Sequence, residues 1–406
     1  MTEPHLPGTA RTENQEANDE PSPRGALDGV LVADFSRVLA GPLCTMHLAD
    51  MGAEVVKVER PDGGDDTRHW PPFLEDGMST YYAAINRNKR SVTFDLSVDE
   101  DAELARRLAD RSDVIIENFR PGVMRTFGLD SDAVLRRNPG AVYCSITGFG
   151  ADGTGGDMPG FDFLIQGMGG LMSLTGPADG EPYRVGVAMV DVLAGLHALI
   201  GILAALNARH TNGGKGQVVD IALMQSLLAG MVNASSAALL TGQNPRRAGN
   251  RHASVAPYEV YSASDGPFII ATGNDRQWQR ICEVLGASEL ARDERFSTNA
   301  SRVSHIGELA ESMAPYLLKR TAAEWTAALL AARVPAGPIN TLTEAFADAE
   351  RLGLDPIWDV EGVRSPRAPI GLSETPLRGV RRPPTLGQDS ESVREWLRTD
   401  NPHSDA

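Results

Sequence analysis

The chain has 406 residues, 42% of them hydrophobic, which is enough for a sizeable core and more than one domain. Acidic residues outnumber basic ones, 54 to 38, for a formal charge of -16; this excludes nucleic acid as the main partner, because phosphate binding needs clustered excess Lys and Arg. The three cysteines, Cys44, Cys144 and Cys282, stand far apart with no paired spacing, which excludes a disulfide framework or a Cys/His metal site and fits a reducing, cytoplasmic compartment.

Residues 1–25 are polar, acidic and proline-rich without an apolar stretch, so they read as a disordered tail and not as a signal peptide or membrane anchor. Gly29–Ser36 reads as a buried strand, Gly41-Pro42 opens a helix that Gly52 closes, and Ala53–Glu59 is the next strand. Strand, helix, strand at this spacing starts a doubly wound parallel sheet. Where a dinucleotide fingerprint would follow the first strand the chain has Phe35-Ser-Arg-Val-Leu-Ala-Gly-Pro42, which argues against a nicotinamide dehydrogenase.

The loop Arg60–Arg68 follows a strand's carboxyl end, where open α/β sheets bind ligands. Asn86-Arg-Asn-Lys-Arg90 reads either as a solvated basic turn or as a cluster suited to a phosphorylated ligand. Ser91–Leu96 is a strand, and Ser97-Val-Asp-Glu100 is a capping-box pattern for a helix through Asp110, with Glu103 and Arg107 paired at i,i+4. Asp113–Glu117 is a strand leading into the turn Asn118-Phe-Arg-Pro-Gly122, and Ala141–Ile146 is another after helical segments.

Glycine is dense from Gly148 to Gly160 and again in Gly167-Met-Gly-Gly170. A short strand-like segment, Arg184–Asp191, then runs into Val192–Leu206, which has almost no polar face and reads as a buried helix short of the roughly 20 residues a bilayer needs. Gly195 and Gly201 within it imply another backbone close by. Asp191, at the junction, has two readings: an N-cap accepting from the first orphan N–H groups, or a nucleophile forming an anhydride in a water-shielded site. Gln217–Gly242 reads as a strand and a long apolar helix, and the polar, basic stretch Gln243–Ala253 marks a domain boundary. A hairpin around Asp265-Gly266 and helices over Gln277–Leu285 and His305–Ala332 form a smaller α+β domain; short strands and a helix at Ser390–Leu397 end the chain.

Catalytic Ser-His-Asp, Cys-His and metal-binding spacings are not signalled, which leaves one carboxylate beside a doubly wound domain. Asp34-Phe-Ser-Arg-Val-Leu-Ala-Gly-Pro42, Gly52–Arg60, Asn88-Lys-Arg-Ser91, Glu117-Asn-Phe-Arg-Pro-Gly122, Ser145–Gly150 and Met189-Val-Asp191 together resemble the family III CoA-transferases, the group that includes formyl-CoA transferase. The resemblance covers nearly the whole chain past the tail. It implies a Rossmann-like large domain made from both chain ends (26–242 and 341–400), a small α+β domain (243–340), and an interlocked homodimer. It further implies Asp191 as nucleophile, Val38, Leu39, Ala40, Arg60, Asn118 and Phe119 along the CoA path, and no cofactor beyond coenzyme A.

A sibling branch, the α-methylacyl-CoA racemases, uses a His in a Gly-His-Asp segment; here Gly160-Phe161-Asp162 matches it, and Asn274 stands at that branch's small-domain Glu, so the acid/base pair is lost. The segments Leu174–Pro177, Asp179–Pro182, Arg184–Met189 and His252–Tyr258 look most like the dicarboxylate-using branch of the succinyl-CoA:glutarate type. The expectation is CoA transfer from an acyl-CoA such as succinyl-CoA to a dicarboxylic acid, with neither nucleic acid nor membrane as partner. Arg184, Arg251 and His252 are candidates for the acid, and the amides of Gly169 and Gly170 for oxyanion contacts. Rival readings are an acyl-CoA isomerase or epimerase, and a non-catalytic acyl-CoA-binding protein.

Overall fold

The computed structural model describes residues 25–399, so the tail over residues 1–24 lies outside the described residues. The chain divides into two compact units, residues 25–171, 185–242 and 356–399 in one and 172–184 and 243–355 in the other.

The first unit begins with β1 (Leu31–Asp34), α1 (Ala40–Asp50), β2 (Glu54–Glu59), α2 (Thr80–Ile85), β3 (Arg90–Thr93), α3 (Asp99–Arg111) and β4 (Val114–Glu117). It continues with α4 (Ser131–Arg137), β5 (Val142–Thr147), α5 (Asp162–Met168), α6 (Met189–Arg209), β6 (Gln217–Ala222), α7 (Leu223–Gly230) and α8 (Val232–Thr241). All six strands run parallel in the order β3-β2-β1-β4-β5-β6, so the sheet reverses direction between β1 and β4. That switch point opens a crevice at the strand carboxyl ends.

Because alternate strand residues face opposite sides, the sheet feeds two cores. Val32, Val55, Val114, Ile116 and Cys144 join α1 and α6 in one; Ala33, Val56, Ile115 and Tyr143 join α3, α4 and the C-terminal helix in the other. The cysteines are buried and unpaired.

Several local expectations changed in the fold. Ser97 does not cap α3: its hydroxyl donates to Asp95 at 2.6 Å, and the N-cap position is Val98. Residues 184–188 are irregular, not a strand, and α6 begins at Met189. The expected apolar stretch proves to be a 21-residue helix, the one among the described residues long and apolar enough to cross a membrane by length and composition. It nevertheless packs against α1, α7, β5 and β6, as a core helix does. The second helix expected before Gly242 is split into α7 and α8, bent by 86°.

The second unit holds β7 (Tyr258–Ser262), β8 (Pro267–Ala271), α9 (Asp275–Leu285), α10 (Ser288–Arg292), α11 (Asn299–Ser304), α12 (Ile306–Leu317), α13 (Ala322–Ala331), β9 (Ala336–Pro338) and α14 (Leu342–Arg351). β7 and β8 are antiparallel around Asp265-Gly266, and the stretch read as one helix from His305 is two, because Thr321 starts α13 with a capping box.

The chain then returns to the first unit through β10 (Ile357–Val360), β11 (Val363–Pro366) and α15 (Ser390–Arg398). Asp389 closes the β3 edge: its carboxylate accepts from Ser91 N and its own N–H donates to Ser91 O, both at 2.9 Å.

Candidate active site

Asp191 is the third residue of α6, not its N-cap, and the capping work is done from another segment. Asp162, the first residue of α5, accepts from Val190 N at 2.7 Å and from Asp191 N at 3.3 Å through Oδ1. Its Oδ2 accepts from Gln166 Nε2 at 2.6 Å. Gln166 is fully buried and ties down the lead-in to α6, accepting from Val185 N at 2.9 Å and donating to Val187 O at 3.4 Å. Asp162 is placed by a close backbone crossing: a Cβ on Gly148 or on Gly160 would lie 2.5 Å from the other's Cα, so neither tolerates a side chain without a shift.

With the orphan N–H groups satisfied by Asp162, the half-buried Asp191 carboxylate is released from capping. Burial, and after it the like charge of Asp162, pushes Asp191 up to about 7. Tyr81 on α2 lies within electrostatic reach of both: burial first, then Asp191 and Asp162, raise its phenol to about 12.

Asp191 and Gly195 share a face of α6, one turn or roughly 6 Å apart along the axis. At Gly195 a Cβ would stand 2.6 Å from Ala40 O, so the inferred close backbone is that of α1. At Gly201 the neighbour is a side chain, Val219. The nucleophile candidate thus sits one helical turn from the start of α1, where the β1 loop arrives.

That loop lies at the switch point. Arg37 and Asn118 bond reciprocally across it, Arg37 N to Asn118 Oδ1 at 2.9 Å and Asn118 Nδ2 to Arg37 O at 2.7 Å. The Arg37 guanidinium lies 5.4 Å from the Phe119 ring centre and 3.4 Å from Asp66, and Asp66 also holds Arg60 at 2.8 Å. Val38 sits at φ 69, a left-handed backbone that a β-branched residue occupies only under strain, and its N–H donates to the Asp65 carboxylate at 3.2 Å. Leu39 is the N-cap position of α1 and Ala40 its first residue. The structure therefore gathers Val38, Leu39, Ala40, Arg60, Asn118 and Phe119 around one crevice, and adds Arg37 and Asp65, which the sequence reading had not singled out.

Beneath the loop is a buried ionic floor. Lys57 bonds Asp65 and Ser36 O, each at 2.9 Å; Lys89 bonds Asp34 at 3.1 Å; Arg68 makes a bidentate pair with Glu59 at 2.7 Å on both arms. Burial opposes it, but Lys57 and hydrogen bonds from Thr67 hold Asp65 down at about 2. The stretch Asn86–Arg90 belongs to this interior and is neither a solvated turn nor a phosphate cluster: Arg87 pairs with Asp50, Lys89 with Asp34 and Arg90 with Asp389.

The N–H groups of Gly169 and Gly170 donate to Ile165 O and Gly167 O, closing α5. In the second unit Arg184 is exposed, and Arg251 is paired with Glu259 at 2.9 Å. His252 rests against Tyr258 with ring centres 5.0 Å apart, its Nδ1 accepting from Ser254 N. Asn274 caps α9 by accepting from Gln277 N at 3.0 Å, and Phe161, 70% exposed, carries no titratable group. Neither can take the racemase roles.

Residues 27–390 match CoA-transferase family III. A succinate–glutarate CoA-transferase of Agrobacterium fabrum is 42% identical over 94% of this chain and 98% of its own length. A human succinyl-CoA:glutarate CoA-transferase is 35% identical over 92% of this chain and 87% of its own. A crystal structure of a CAIB/BAIF family protein from Brucella suis superposes with a TM-score of 0.85 at 42% identity, covering 92% of this chain and 100% of that one.

Proposed function

The chain belongs to CoA-transferase family III and is a CoA-transferase, and from that premise we propose that it carries CoA from succinyl-CoA to a second dicarboxylic acid by covalent catalysis on Asp191. The observation that carries this reading is the division of labour at α6: Asp162 satisfies the helix N-terminus, so Asp191 presents a carboxylate with no capping duty.

In the first step an Asp191 oxygen attacks the donor thioester carbonyl, the C–S bond breaks, and an aspartyl anhydride forms as CoA thiolate leaves. The thiolate then attacks the Asp191 carbonyl, releasing the donor acid and leaving an aspartyl-CoA thioester. The acceptor carboxylate reverses both steps. One thioester replaces another, so the site's contribution is positioning and exclusion of water more than acid–base chemistry.

CoA runs along Val38, Leu39 and Ala40, with Asn118 and Phe119 flanking the nucleotide and Arg60 exchanging Asp66 for a phosphate. Arg184 and His252 are the proposed contacts for the acceptor's distal carboxylate; Arg251 takes part only by leaving Glu259. A homodimer accounts for the apolar side chains a single chain leaves open, among them Phe163 and Met168 on α5, Ile200 on α6 and the 86% and 85% exposed Leu239 and Leu240 on α8. A reducing, cytoplasmic setting fits the three unpaired thiols.

The test is purified protein with succinyl-CoA and a panel of carboxylic acids, read by mass for new CoA esters. Formation of glutaryl-CoA or a similar dicarboxylate ester is expected, and no new ester with any acid would sink the reading. Equal kcat/KM for glutarate and butyrate would remove the dicarboxylate part alone, since a site built for a second carboxylate rejects its uncharged analogue.

A further inference from the structure

We propose that Asp162 is a positioning residue with a second, electrostatic role: its carboxylate fixes the first turn of α6 and, as a like charge beside Asp191, drives that side chain toward its uncharged acyl forms. This rests on the reading of Asp191 as the nucleophile.

Both roles follow from the contacts. Asp162 Oδ1 accepts from the backbone N–H of the nucleophile itself and of the residue before it, and Oδ2 is held by Gln166, which also grips Val185 and Val187. Residues 162, 166 and 185–191 form one clasp, so the nucleophile's backbone cannot move without breaking it. A helix N-terminus ordinarily favours a nearby anion. Here its amides are spent on Asp162, and Asp191 has the capping anion for a neighbour.

The other groups on this face do not compensate. Tyr81 comes from α2, a phenol raised to about 12 and so uncharged in the neutral range, and at Gly195 α1 offers the Ala40 carbonyl oxygen and the apolar Leu43 side chain, neither of them a cation. In the acylation step the Asp191 carboxylate O attacks, the acyl C–S bond breaks and the negative charge leaves on the CoA thiolate; in the second step that charge passes from the thiolate to the released donor acid, and the enzyme side chain stays neutral. Repulsion from Asp162 is present in the free carboxylate and absent in anhydride and thioester, so it favours acylation. The upward displacement of Asp191 accords with this.

The experiment compares wild type with Asp162→Asn, Asp162→Glu and Asp162→Ala in single-turnover acylation by succinyl-CoA across pH, with the enzyme-thioester fraction read by intact mass. The asparagine retains an oxygen for both α6 amides while losing the charge. Its acid limb is expected to move down by about one pH unit, and its thioester fraction to fall about tenfold, since each unit of displacement is a factor of ten. KM for acyl-CoA is expected to hold. Asp162→Glu keeps the wild-type limb, and Asp162→Ala adds a loss of kcat to the shift.

An unchanged limb and thioester fraction in Asp162→Asn would reduce Asp162 to a cap. If that variant does not fold, difference infrared titration of Asp162→Ala beside the wild-type protein decides: the carboxyl band that Asp191→Asn removes must titrate lower in Asp162→Ala than in wild type, and the same titration in both overturns the proposal. Full transfer by Asp191→Ala would instead overturn the nucleophile reading, so the two failures are distinct.

Discussion

Asp65 and Asp191 belong to the same unit and are both withdrawn from water, yet one is held down at about 2 and the other pushed up to about 7. The difference lies in their neighbours. Asp65 faces Lys57, the Thr67 hydroxyl and two backbone amides in a floor where opposite charges are paired. Asp191 faces another carboxylate. The floor spends its charges on holding the strained Val38 loop in place, whereas the first turn of α6 leaves one charge uncomfortable and therefore reactive. Structure is maintained where electrostatics is satisfied, and chemistry is placed where it is not.

The sharpest test of that contrast is Asp191→Ala. Transfer should fall by roughly four powers of ten or more, worth over 5 kcal/mol of barrier, while circular dichroism shows the fold retained and thermal melting shows no loss of stability, because the cap belongs to Asp162. Near-normal turnover in a folded variant would erase the distinction between the two regions.

In the floor, Lys57→Met should cost about 3 to 5 kcal/mol in urea unfolding, because it strands Asp65 as a buried, unpaired charge. A neutral outcome would mean that the pair contributes nothing to holding the loop.

Opposite pH dependences follow from the two shifts. Asp65, lowered, contributes about 2 kcal/mol that is present above pH 4 and lost as pH falls toward 2. Asp191, raised, does the reverse: its ionisation burdens the folded state progressively from about pH 4 to 7, and the burden is complete above that. Asp191→Asn should therefore be more stable than wild type at pH 8, on the order of 1 to 3 kcal/mol after allowance for solvent access, and the gain should vanish at pH 4. Equal melting curves at pH 8 would contradict the strained-carboxylate picture.

The smallest effect belongs to the surface. Glu103 pairs with Arg106 and Arg107 at 3.2 Å on the exposed side of α3, and Glu103→Ala should cost only about 0.3 to 0.5 kcal/mol, fading in high salt. A loss comparable to that of Lys57→Met would show that burial is not what separates strong pairs from weak ones.

What could be read from the sequence was what local pattern encodes. The strand–helix–strand start, the hairpin at Asp265-Gly266 and the close approach at Gly195 follow from short-range rules of burial, turn chemistry and missing side chains. Asp191 was legible as a junction residue, but its release from capping was not, because Asp162 lies 29 residues away and reaches it only through the Gly148–Gly160 crossing. Asn86–Arg90 misled for the same reason: its partners are 37, 55 and 299 residues distant, and five polar residues in a row carry no local sign of burial. The alternation in Arg184–Asp191 imitates a strand, but Val185 N bonds a glutamine side chain instead of a neighbouring strand.

The closure of the β3 edge by Asp389 also governs when the protein can fold. Ser91 and its partner are separated by 298 residues, which a ribosome working at roughly 5 to 20 residues per second needs about 15 to 60 s to add. Throughout that interval β3 emerges as an open edge with its amides unpaired, while residues 243–355 are already available to fold. The first unit is thus completed only as its last helix appears, and a chain arrested shortly before Asp389 would present a sheet edge suited to binding a chaperone or another nascent copy.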